Sequence, residues 1–363
     1  MSANGLTVGV EEEFFLVDDV GALVDRAPEA LRETENDGVD LKPELLRCQV
    51  ESATEVCHSG EDVSRELAAL RGRLAVATAH YGARLAASAT VVHRQAHGWT
   101  IAPDPRYHRI AQRYGPIVIG ASTCGCHVHV GVADRKLALE VVNHLRPWLP
   151  ALLAVSANSP FLHGRDTGYA SARHLIYLQW PSAGPPPYFD SVEEYESITA
   201  TLLETGAAMD RKMIYWYVRP SEHQPTVEIR VSDVLATTRE ATLLAVLTRT
   251  LVAQALELID AGTAAARVPS DSIKAGLWRA AKDGLGGKCP DPATGRLRAV
   301  HAILADLIHA NSARLRESHE LEFVESTVDW LRRHGGGAHR QRQAFVRRGN
   351  LDDVLDEITV GRP

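Results

Sequence analysis

The sequence has no surplus of basic residues: 39 Lys and Arg stand against 46 Asp and Glu, a formal charge of −7 with a pI near 6.1. Phosphate contacts along a nucleic acid need a basic surface, so the charge argues against a general nucleic-acid binder and for small molecules and cations as partners. Cysteines are few, at 48, 57, 124, 126 and 289, and an odd number scattered over a long chain reads as reduced thiols rather than a disulfide framework. The opening Met1-Ser2-Ala3-Asn4-Gly5 lacks a basic segment leading into an apolar one, so no signal peptide is expected. No apolar run approaches the roughly 20 residues of a membrane span, and a cytoplasmic enzyme is the expectation. Three chemical motifs are missing as well: G-x-x-x-x-G-K-[ST], G-x-S-x-G and H-E-x-x-H. Gly284-Leu-Gly-Gly-Lys288 has neither the spacing nor the hydroxyl of a phosphate loop. P-loop kinases, serine hydrolases of the elbow type and zincins are therefore set aside.

What is present is an ordinary globular balance, 45% hydrophobic and 23% charged over 363 residues, read as a single domain spanning 1–363. Leu6 to Val17 reads as a strand, 117–132 contains a second, and Thr226 to Val234 is a third. Residues 61–82 carry Val63, Leu67, Leu70, Leu74 and Ala77 at helical spacing. Two helices broken at Pro147 and Pro150 are expected over 134–157, a capped helix start at Ser191, and a long apolar helix from Arg239 to Asp260. From Asp271 onward the pattern is mostly helical, interrupted at 283–295 and 335–337. The strands are separated by long, unequal stretches. That spacing favours α+β with an antiparallel or mixed sheet over a doubly wound parallel one.

Side chains two apart on a strand share a face. Glu11 and Glu13 therefore fall together with Gly9, opposite Val8, Val10, Glu12 and Phe14. His127 and His129 share a face with Gly125 and Gly131, opposite Cys124, Cys126, Val128 and Val130. Thr226, Glu228, Arg230 and Ser232 share a third, backed by Val227, Ile229 and Val231. Any one such strand reads as an exposed edge. Glutamates, however, are poor strand formers, and two on one face repel, so Glu11 and Glu13 call for a cation. Three such strands in one sheet make a floor of carboxylates, imidazoles and a guanidinium, a donor set suited to Mg2+ or Mn2+. Glu44 and Glu51 share a face if 44–56 is helical; if Gln49 to Glu55 is a strand, Glu51 and Glu55 do. Cys124 and Cys126 alternate with the imidazoles, which separates thiols from histidines and argues against a shared zinc ion.

Six segments, in order and spacing, resemble the glutamate–cysteine ligase type 2 family, the carboxylate–amine ligases. They are Gly9-Val-Glu-Glu-Glu-Phe, Glu51-Ser-Ala-Thr-Glu-Val-Cys57, Gly125-Cys-His-Val-His-Val-Gly131, Asp166-Thr-Gly-Tyr-Ala-Ser-Ala-Arg173, Arg219-Pro-Ser-Glu-His and Thr226-Val-Glu-Ile-Arg-Val-Ser-Asp233. The resemblance implies a glutamine synthetase-like fold: a curved antiparallel sheet forming an active-site funnel, with helices packed on its outer face. It implies metal ligation by Glu11, Glu13, Glu51, His127, His129 and Glu228, with Glu44 standing where the family has Asp. It implies catalytic roles for Arg230, beside the transferred phosphate, and Arg173, and nucleotide contacts from Arg230 and Arg219. ATP and Mg2+ or Mn2+ are the implied cofactors; the partners are a small carboxylate, glutamate, and an amine, cysteine or another amino compound. Assembly of identical chains stays open. The rival readings are a metal-dependent hydrolase on the same site and a nucleotide-binding homologue without turnover.

Overall fold

The computed structural model describes residues 5–32, 40–95, 99–120 and 123–361. Positions 1–4, in the opening read for a signal peptide, and 121–122, in the segment read for a second strand, lie outside it. In chain order the first strands are β1 (Val8–Val17), β2 (Asp40–Pro43), β3 (Gln49–Ala53), β4 (Arg84–Ala86) and β5 (Gly125–Gly131). Then come β6 (Phe161–Leu162), β7 (Arg165–Asp166), β8 (Val218–Pro220) and β9 (Thr226–Asp233). All but β6 and β7, which form their own hairpin, belong to one sheet of order β2-β3-β1-β5-β9-β8, with β4 also pairing β1. Every pairing is antiparallel and the sheet stays open. The α+β expectation holds.

One face of the sheet is apolar because Val8, Val10, Cys126, Val128, Val130, Val227, Ile229 and Val231 all turn to it. The helices Gly60–Ala79, Arg135–Leu145 and Thr238–Asp260 cover that side. Gly60–Ala79 starts at a capping box in which Ser59 and Asp62 each satisfy the other's backbone N–H. Its burial stripe is Val63, Leu67, Leu70 and Leu74, as the spacing predicts. Ser191 caps Val192–Glu204 by accepting from the Glu194 N–H.

Three expectations need correction. The break in 134–157 falls at Pro147 alone; Pro150 sits in the first turn of Leu149–Ser156, where its missing N–H costs nothing. Thr238–Asp260, 23 residues, is apolar and long enough to cross a membrane by length and composition, contrary to the reading that no run comes close. Its most apolar window is 78% buried among the other elements, the setting of a core helix. The third concerns Ser232. Cys126 pairs with Ser232 but Val128 with Ile229, so β9 carries one extra residue opposite His127. This bulge re-aims the strand: Ser232 faces the apolar side beside Cys126, and Asp233, paired with Gly125, takes the polar side.

Candidate active site

Registry brings the polar faces together. Glu11 pairs with His127, Gly9 with His129, His129 with Glu228, and Glu13 with Glu51. The pairing of β3 with β1 decides the open question at 44–56: Gln49–Ala53 is a strand, and Glu55 beyond it is solvated. All ten residues singled out from the sequence line one cavity of about 480 Å³.

Within that cavity the acids divide. Glu11, His129 and Glu228 present donor atoms within 4.8 Å of one another, and so do Glu13, Glu44 and Glu51. Two residues along a strand is roughly 6.6 Å, so Glu11 leans toward β5 and β9 while Glu13 sits toward β3. His127 stands between the groups, Nδ1 3.3 Å from Glu11 and Nε2 3.7 Å from Glu13. His129 is oriented through Nδ1, 2.9 Å from Thr226 Oγ1, which leaves Nε2 3.5 Å from Glu11 and 3.9 Å from Glu228. A fixed outer partner of this kind sets which nitrogen an imidazole offers.

The electrostatics of the groups differ. Burial disfavours the charged form of Glu11, but hydrogen bonds from His127 and His129 outweigh it and hold the carboxyl well below its usual range. Burial likewise opposes Glu228, and Arg219 and Arg230 overcome it. In the second group, burial and mutual repulsion outweigh the relief that Arg230 gives Glu44 and Lys42 gives Glu51. Burial, then the charge of Glu13, lifts Glu44 to about 7, and burial with Glu44, Glu11 and Glu13 raises Glu51 well above the carboxylate range. Half-buried acids that repel one another, beside a His127 Nε2 that is shielded and without a hydrogen bond, are the donor set a hard divalent cation fits.

The arginines border the first of these groups. Arg230 pairs with Glu228 through Nη1, lies 3.5 Å from His127 Nδ1, and has its guanidinium 5.8 Å from the Tyr215 ring centre. Arg173 is buried under the bulge, donating to the carbonyls of Val231 at 3.3 Å and Arg230 at 3.4 Å. A Cβ on Gly125 would stand 2.4 Å from Arg173 Nη2, so only glycine admits the guanidinium there. Arg219 lines the cavity, but its Nε is given to Glu228 at 2.7 Å and its Nη1 to the carbonyls of Lys212 and Ile214. Cys124 and Cys126 are buried, unpaired, and pushed well above the usual thiol range by burial.

Sequence reasoning missed three contributors. Asp233 accepts from the Asn158 N–H at 2.8 Å and from the hydroxyls of Ser159 at 2.7 Å and Ser171 at 2.8 Å, anchoring the Ala172–Tyr177 helix that carries Arg173. The only available signal was the Ser-Asp pair at the strand end. Tyr177 and Tyr215 wall the arginines from loops and a short helix, where no periodicity points to them.

Beside Arg173 lies His174, whose Nδ1 is hydrogen-bonded to the Tyr217 hydroxyl at 2.7 Å. Burial, then the charge of Arg173, lowers its pKa from 6.5 to about 4. The unfolded chain thus binds this proton first, and stability falls as pH drops from about 6.5 toward 4, by at most about 3 kcal/mol for this group. Thermal unfolding of His174→Gln against wild type should show the variant losing less over that window. Parallel pH curves would contradict this.

With the geometry in place, comparison with known proteins is direct. The profile of the glutamate-cysteine ligase family 2 matches residues 7–357. A protein of Rhodococcus jostii named "Putative glutamate--cysteine ligase 2-1" is 46% identical over 358 residues, covering 99% of this chain and 97% of that one. Among solved structures, the glutamate–cysteine ligase of Francisella tularensis in complex with AMP superposes with a TM-score of 0.66 at 14% identity, over 97% of this chain and 87% of that one. The bifunctional glutathione synthetase of Pasteurella multocida gives 0.68 at 15%, over 98% of this chain and 52% of that longer one. These likenesses show the fold; the profile and the close relative show the family, and the chain belongs to the glutamate-cysteine ligase family 2.

Proposed function

We propose that this ATP-dependent ligase joins the side-chain carboxylate of glutamate to an amine, through an acyl phosphate formed at the cavity. The observation that carries the reading is the arrangement of one sheet face, with two groups of carboxylates and the guanidiniums of Arg173 and Arg230 lining a single cavity.

A carboxylate does not react with an amine in water, because oxide would have to leave. Transfer of the γ-phosphoryl group from ATP to a carboxylate oxygen expels ADP and makes phosphate the leaving group. The amine nitrogen then bonds to the acyl carbon, the bond to the phosphate oxygen breaks, and the nitrogen gives up a proton to water. Glu11, His129 and Glu228, and separately Glu13, Glu44 and Glu51, with His127 between, would hold Mg2+. Bound there, Mg2+ would neutralise phosphate charge and orient the phosphates. Arg230 sits at the same depth as Glu228 and would meet the oxygens of the group in flight, where charge develops. Arg173, held by backbone carbonyls, would bind an anionic oxygen of the same group. Exclusion of water while the acyl phosphate exists would protect it from hydrolysis. No protein nucleophile is required, in accord with the absence of such a motif.

The test is ADP release with glutamate and related acids against a panel of amines that includes cysteine. Release that requires both acid and amine supports the ligase. Phosphate release from a phosphoester without an amine would favour a hydrolase, and ATP binding with no ADP formed would mark a homologue without turnover.

A further inference from the structure

Tyr177 has a phenolic proton with no acceptor. The side chain lines the cavity and is 6% exposed, yet its hydroxyl is shielded and its proton reaches no acceptor, the polar neighbour of its oxygen being the Arg230 guanidinium, a donor. Buried hydroxyls are satisfied as a rule, so the exception needs a cause. The ring itself is held firmly. Arg173 lies over it with 5.0 Å between guanidinium carbon and ring centre, and Tyr217 stacks on it at 5.7 Å and 23°. Tyr215 adds a tilted contact at 5.8 Å. Rotation to find another partner is therefore blocked.

The surroundings define what is missing. The guanidinium of Arg230 faces the phenolic oxygen, and the guanidinium of Arg173 covers the ring. A guanidinium has donors and no acceptor. The phenolic proton thus has no protein atom to go to, while the position between two cations suits an anionic oxygen.

We propose that Tyr177 is a further catalytic residue, whose hydroxyl donates a hydrogen bond to an anionic oxygen of the acyl phosphate, alongside Arg173 and Arg230. The inference rests on the ligase reading above. When the amine attacks, the carbonyl electron pair moves onto oxygen and returns as the bond to phosphate breaks. The tyrosine keeps its proton throughout and supplies a dipole only. Two oxygens offer this chemistry, one on the phosphoryl group and one on the acyl carbon.

Tyr177→Phe decides the matter because it removes only the hydroxyl. Only the contact of the phenolic oxygen with Arg230 is lost in the folded state, so the unfolding temperature should change little. Turnover per folded molecule should fall about 10- to 100-fold, the size of one hydrogen bond to a charged oxygen, with smaller changes in KM for acid and ATP. Hydroxylamine as the amine gives a coloured hydroxamate and separates the steps. If the first ADP formed without amine is slowed as well, the oxygen is on the phosphoryl group; if hydroxamate formation alone is slowed, it is on the acyl carbon. Unchanged kcat, or a rise in KM alone, overturns the role of Tyr177 while leaving the ligase reading intact. Wild-type enzyme that forms no ADP with any acid overturns both.

Discussion

Replacing Arg230 with lysine is expected to lower kcat by about 100- to 1,000-fold, the loss of about 3–4 kcal/mol of transition-state stabilisation, while the fold survives. In the structure Arg230 does two things. Its Nη1 pairs with Glu228, and its remaining donors include an Nε that is buried without a hydrogen bond. Lysine can reproduce the first role, since one ammonium satisfies one carboxylate. It cannot reproduce the second, because a point charge has no planar fork to span two oxygens. Glu228 keeps Arg219 at 2.7 Å in the variant, so the acid is not stranded. Measuring kcat and thermal unfolding on the same preparations separates the two roles. A lowered melting temperature with full turnover per folded molecule would make Arg230 a structural partner of Glu228, and unaltered kcat would remove it from the chemistry.

The legible part of this site was the part governed by a period of two. Glu11 with Glu13, His127 with His129, and Glu228 with Arg230 share faces because strand geometry leaves no choice, and the apolar residues between them show which face is buried. That logic fails at one step, after Arg230. The extra residue in β9 turns Ser232 inward and Asp233 toward Arg173. Nothing in Val231-Ser232-Asp233 announces a bulge, since its cause is the fit of β9 to β5. Registry was also out of reach. Glu51 meets Glu13 only because β3 runs beside β1, and from sequence the segment 44–56 was as consistent with a helix. The strand faces put the acids on one polar floor. The structure separates them into two groups because neighbouring strands draw Glu11 and Glu13 to opposite sides. The aromatic wall was invisible for a different reason: Tyr177 at the end of a short helix and Tyr215 on a loop are placed by tertiary contacts rather than by a period. The elements were easier to read than the site, because capping and periodicity are local, as at Ser59 and Ser191, whereas a cavity is assembled from afar.

The largest stability effect is expected at a charged residue that the strand pattern places, correctly, on the apolar side of the sheet. Glu12 points away from the cavity, between Glu11 and Glu13, and is fully buried. Arg71 of the Gly60–Ala79 helix meets it with two bonds, Nη2 at 2.6 Å and Nε at 2.8 Å, a bidentate pair. The same guanidinium donates to the carbonyls of Leu235 at 2.8 Å and Ala236 at 3.2 Å, just past β9. One side chain thus ties the helix, the strand bearing Glu11 and Glu13, and the end of the strand bearing Glu228. Arg71→Met leaves a buried carboxylate with no counter-charge and should cost about 3–5 kcal/mol. Removing both charges, Glu12→Leu with Arg71→Met, should recover much of this, since an apolar pair of similar volume is tolerated where a lone charge is not. Recovery should stop short by about 1–3 kcal/mol, because the Leu235 and Ala236 carbonyls lose a donor. Denaturant unfolding midpoints of the two variants measure both quantities. If the single variant matches wild type, the pair is not what secures β1. If it unfolds early but retains kcat per folded molecule, Arg71 secures the sheet without acting on the chemistry at its other face.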